Sequence, residues 1–103
     1  MEILAYVVAA VCTALLIMDW KQTRQIALHP EKWSEMNPIL GKHPKTVKVD
    51  IYFAVVTVGM WIVVLAVLRF VPNPDFRMVL LVAFSAATAF EAFVVWRNRK
   101  HGL

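Results

Sequence analysis

Cysteine, glycine and acidic side chains are scarce in this sequence. A single cysteine in 103 residues excludes an internal disulfide and says nothing of the redox compartment. Cys12 and Ser85 both fall in apolar stretches with no histidine in reach, which argues against a serine or cysteine nucleophile. No His/Cys spacing of the zinc type occurs, and there is no internal repeat or low-complexity segment. The opening Met1-Glu2 is acidic where a secretory leader is basic, and no small-x-small cleavage pattern follows the first apolar run, so that run is expected to remain as a membrane helix. Val11 occupies the position where a lipid-modified cysteine would follow a small residue, so Cys12 reads as a small apolar helix residue.

What the chain has in quantity is apolar side chains, 60% of its residues against about half in soluble domains. They gather in runs over residues 3–18, 49–71 and 78–96. Roughly 20 helical residues cross a hydrocarbon core about 30 Å thick. The second and third runs satisfy that length, and the first does so by extending to Trp20 or by lying in a thinned bilayer. The expected fold is an all-α integral membrane protein, one transmembrane domain over 1–103, with helices at about 3–20, 49–71 and 77–96. A cytoplasmic interfacial loop is expected over 21–48.

Basic residues orient the spans. Lys21, Arg24, Lys32, Lys42, Lys45, Lys48, Arg97, Arg99 and Lys100 fall on one side, while Arg69 and Arg77 flank the turn on the other. That bias places the loop and the tail in the cytoplasm and the N-terminus outside, as in a bacterial inner membrane protein. Trp20, Trp33, Tyr52 and Trp96 fall at the same interface, where amphipathic rings concentrate. The net charge of +4 is then accounted for by orientation and anionic lipid, with no call for nucleic acid.

Helix 1 is expected to run on past the membrane through residues 20–28, with no breaker before His29-Pro30. Pro30 opens a short interfacial helix over 31–36, and Asn37-Pro38 and Gly41 then impose turns. Trp33, Met36, Ile39 and Leu40 can bury, so the segment reads as an ordered cap over one end of the helices. Helices 2 and 3 form a hairpin around Val71-Pro72-Asn73-Pro74-Asp75. Small residues four apart (Ala5/Ala9 and Ala10/Ala14 on helix 1, Ala83/Ala87 and Ser85/Ala89 on helix 3) let backbones approach closely, within the chain or between copies.

Glu91 is the residue most in need of a reason. An acid about 9 Å before Arg97 along a membrane helix costs a few kcal/mol unless it is neutral, paired or wet. Asp19 ends helix 1 and Asp50 begins helix 2, so the topology gathers one carboxylate per helix at the loop end. Gln22 and Thr23 share a face with Asp19, Thr88 lies one turn before Glu91, and the loop adds His29, Glu35, Asn37 and His43. The candidate polar site is therefore Asp19, Gln22, Thr23, Glu35, Asn37, Asp50 and Glu91. No cofactor is evident, but three carboxylates suit a hard cation at Asp19/Asp50/Glu91, an ammonium, or a positioned proton. In the plainer alternative Asp19 and Asp50 mark the membrane boundary and pair with Lys21, Arg24 or Lys48, Glu91 pairs or snorkels, and the histidines are interfacial.

The pattern D-W-x-Q-T … E-x-N-P-x-L-G-x-H-P, from Asp19 to Pro44, resembles a segment of small uncharacterised phage and proteobacterial membrane proteins. The resemblance implies a bacterial or phage membrane origin and no named activity. In layout alone (three spans, N-terminus out, basic tail) the chain is similar to three-helix phage holins, which open membrane lesions, although its long structured loop departs from them. Three functions follow as expectations: association with itself or with a membrane complex, without catalysis; an intramembrane enzyme or ion/lipid-headgroup binder built on the carboxylates; or a holin-like lesion former. The partners expected are the lipid bilayer, and further copies or other membrane proteins.

Overall fold

The computed structural model describes residues 2–35 and 37–103. They form three helices, α1 (Glu2–Leu28), α2 (Thr46–Phe70) and α3 (Pro74–Lys100), each long and apolar enough to cross a membrane. Val and Ile crowd α2, residues that lose rotamer freedom in a helix. A segment in hydrocarbon has no water to satisfy its peptide groups, however, so the backbone must bond to itself and the helix forms regardless.

The helix ends follow local chemistry. α1 runs unbroken to Leu28, as expected, and stops at His29-Pro30. α3 begins at Pro74, three residues earlier than the expected start at 77. Asn73 caps it, its Oδ1 accepting from the backbone N–H of Asp75 (2.8 Å) and Phe76 (3.3 Å), with Pro74 and Asp75 in the first turn.

α1 is the central helix. It packs against both neighbours, antiparallel to α2 and parallel to α3, while α2 and α3 barely touch. The hairpin expectation is therefore met in connectivity but not in packing: residues 71–73 join two helices that each lean on α1. Ala9, Cys12, Leu16, Asp19, Thr23 and Ile26 form the buried stripe of α1, and Val49, Phe53, Met60, Val64 and Val67 that of α2. Within this seam Trp61 Nε1 donates to Thr13 Oγ1 (2.8 Å), which itself donates to Ala9 O (2.7 Å). α3 buries only Val95 and Asn98. At the turn end it is fixed by Arg77, which donates to Leu68 O and Val71 O (2.8 Å each) and lies 3.6 Å from Glu2.

The segment between α1 and α2 is an ordered cap, but its described residues form turns where a short helix was expected over 31–36; Met36 lies outside the described residues. Lys32 and Trp33 bond back to His29 O, and Glu35 N–H is then drawn across the loop to Lys42 O (2.7 Å), which ends any helical course. Gly41 takes φ +83°, a left-handed conformation that closes the turn. Leu40 is 2% exposed against the bundle, Asn37 Nδ2 donates to Tyr52 Oη (3.0 Å), and Trp33 Nε1 donates to His101 O (3.0 Å). The loop is thereby tied to α2 and to the end of α3.

Candidate functional site

Asp19 lies on the buried stripe of α1, 8% exposed, and its Oδ1 accepts from Thr23 Oγ1 one turn on (3.1 Å). Parallel packing brings Glu91 of α3 to the same end of the bundle, where both acids line one cavity. Glu91 Oε2 is buried with no hydrogen-bond donor among the described residues. One helical turn further along, Gln22 Nε2 donates to Val95 O (3.2 Å) and Asn98 Nδ2 donates to Gln22 Oε1 (3.1 Å), which holds the register that brings the acids to that cavity.

The acids line a cavity of about 470 Å³, a size typical of small-ligand sites. α1 supplies its back wall with Asp19 and Thr23. α2 contributes Tyr52 and Phe53, and α3 contributes Phe90, Glu91, Phe93, Val94 and Arg97. The loop from Glu35 to Leu40 roofs it, with Met36 outside the described residues. Three acids (Asp19, Glu35, Glu91) face one base (Arg97), whose guanidinium lies 6.0 Å from the Phe93 ring centroid. Glu35 Oε1 accepts from the Asn37 backbone N–H at 3.0 Å.

The expected polar site is thus brought together in part. Asp19, Thr23, Glu35, Asn37 and Glu91 share the cavity. Gln22 serves the α1–α3 seam instead. Asp50 is directed elsewhere: its carboxylate accepts from Arg24 (2.6 Å to Oδ1, with a second bond to Oδ2) and from Trp20 Nε1 (2.7 Å) on the α1–α2 side. That pairing raises the Arg24 guanidinium above its ordinary range through the charged hydrogen bonds. Arg24 is one of the partners the plainer reading named for Asp50. Thr88 donates to Phe84 O of its own helix (2.7 Å), His29 lies 3.4 Å from Glu31, and His43 is exposed. Among the described residues no group of three or more His, Cys, Asp or Glu side chains is arranged to hold a metal ion.

Of the small residues named for helix packing, Ala9 is 1% exposed in the bundle and Ala5 is half-buried, whereas Ala83 and Ala87 are exposed.

Sequence reasoning passed over Arg97, Asn98 and the Phe90/Phe93 rim. Asn98 was legible, because it stands seven residues after Glu91, on the same helical face. The Phe residues were not, since a ring lining a cavity and a ring facing lipid look alike in an apolar run.

Two carboxyls that share a partly buried cavity favour a counter-charge, either a proton or a cation. With Asp50 drawn off by Arg24, the remaining pair suits a cation that brings its own N–H donors. Comparison with family models, curated proteins and solved structures returned no match.

Proposed function

We propose that this chain is a small binding protein of the bacterial inner membrane, N-terminus outside, that holds an ammonium group between Asp19 and Glu91 in a cavity at the cytoplasmic end of its helices. The observation that carries the reading is two carboxyls on one cavity, with Glu91 Oε2 buried and lacking a donor among the described residues. An N–H of the ligand supplies that donor, and its charge offsets the two acids. A charged hydrogen bond of this kind is worth about 1.5–3 kcal/mol, or roughly ten- to a hundredfold in affinity. The orientation rests on nine basic residues at the loop end against two at the turn end. The acids serve here as ligands and no reaction is assigned to them. The outward apolar faces of α2 and α3 are what a bilayer solvates, so they add no weight to association or to lesion formation.

The test is retention of radiolabelled primary amines, short and long, by the protein in lipid nanodiscs, corrected for empty nanodiscs. One saturable site per chain is expected for at least one amine, weakened about tenfold or more in Glu91→Gln and in Asp19→Asn. Equal retention by wild type and both variants, across every amine, would end the proposal.

A further inference from the structure

We infer that the ligand is an amphiphilic amine bearing at least one N–H, which enters sideways from the bilayer through the opening between α2 and α3. This rests on the ammonium reading above and names its substrate class. Three features carry it.

The first is the gap. α1 packs against both other helices while α2 and α3 barely meet, so the cavity they share with α1 has no helix closing its fourth side. Phe90 (64% exposed) and Phe93 (51% exposed) line the cavity and are largely open to the outside, an apolar threshold on the α3 side.

The second is the roof. The loop is fastened across the other end by the buried Leu40 and by the bond from Asn37 to Tyr52, and Arg97 sets a positive charge beside it. Arrival from the aqueous side therefore requires lifting a tied cap, whereas arrival from the bilayer requires only passage between two rings.

The third is the donor that Glu91 Oε2 lacks. A quaternary ammonium has charge but no N–H, so it leaves that oxygen unsatisfied. A primary amine with an alkyl tail meets both demands, its head on the acids and its chain along Phe90 and Phe93. A bilayer also concentrates such a molecule next to the opening.

The experiment compares dodecylamine, butylamine and dodecyltrimethylammonium on the full chain in nanodiscs, against empty nanodiscs. Dodecylamine is expected to bind about a hundredfold more tightly than butylamine at equal aqueous concentration, from burial of its added methylenes. Dodecyltrimethylammonium is expected to bind wild type no better than dodecylamine binds Glu91→Gln. The double variant Phe90→Ala, Phe93→Ala removes two rings that are more than half exposed. It is expected to weaken dodecylamine by about tenfold. If butylamine binds as tightly as dodecylamine, still in a Glu91-dependent manner, bilayer entry is wrong and the ammonium site stands. If the trimethylated probe binds wild type as well as the primary amine does, the requirement for N–H is wrong. If no amine binds in a Glu91-dependent manner, both this inference and the proposed function fall.

Discussion

The Asn98 side chain of α3 donates to Gln22 Oε1 of α1 at 3.1 Å, and both amides are buried. Gln22 passes the link on to Val95 O at 3.2 Å. In an apolar seam these bonds tolerate one helix rotation and one register, and that register is the one that places Glu91 and Asp19 on one cavity. Replacing Asn98 by Ala leaves Gln22 Oε1 without its donor, at about 1–2 kcal/mol. Reversible unfolding in mixed micelles is expected to show that loss. Amine retention is expected to fall with it, although Asn98 does not line the cavity.

Ala9 and Ala87 belong to the same kind of small-residue spacing but have opposite surroundings. Ala9 is 1% exposed in the helix bundle, whereas Ala87 faces outward. Ala9→Leu should destabilise by about 1–3 kcal/mol through overpacking. Ala87→Leu should leave the unfolding midpoint unchanged within error. A loss at Ala87 as large as at Ala9 would mean that α3 is covered by another helix in the membrane.

Gly41 has open space where a Cβ would stand but a φ of +83°. Gly41→Ala therefore strains the backbone without any clash, by about 1–2 kcal/mol. Because the loop turn ties Leu40 and Asn37 to the bundle, the strain is expected to appear locally. Limited trypsin digestion should cut faster at Lys42 and Lys45, with the midpoint of global unfolding little changed.

Cys12 is 3% exposed inside the α1 seam, so native protein should resist maleimide from either face of the membrane and react once unfolded in detergent. With Cys12→Ala as background, two single cysteines test the orientation. Lys42→Cys in the loop should label only from the cytoplasmic face, and Asn73→Cys in the turn only from outside. Reversed labelling would invert the proposed topology.

The long apolar helices and the stop at Pro30 were legible because each depends on chemistry within a few residues. So was the start of α3, since Asn73-Pro74-Asp75 is a cap, a first-turn proline and an acid at a helix N-terminus. Reading the apolar run from residue 77 missed it by weighing hydropathy over capping. The loop helix over 31–36 failed for a different reason. Pro30 permits a helix, but Glu35 finds its partner in Lys42, seven residues away, and that pairing cannot be weighed from the local stretch. The site was half legible: its place inside an apolar run singled out Glu91, and spacing placed Thr23 with Asp19. Arg24 was one of three bases the sequence offered for Asp50; which base would take it, and so draw it from the other two acids, was decided by the α1–α2 packing.

Sequence alone determined that there are three long apolar helices, where proline and a cap bound them, and that one acid lies within an apolar run. An apolar run in hydrocarbon must satisfy its own backbone, so its length decides its structure. Tertiary structure decided that α1 is central, that α2 and α3 stand apart, and that Asp19 and Glu91 line one cavity. The physical reason is that lipid and protein interior are equally apolar, so hydropathy does not mark which side of a membrane helix faces inward. That facing is set by a few interhelical bonds, Gln22 with Asn98, Trp61 with Thr13 and Arg24 with Asp50, each between residues far apart in the chain.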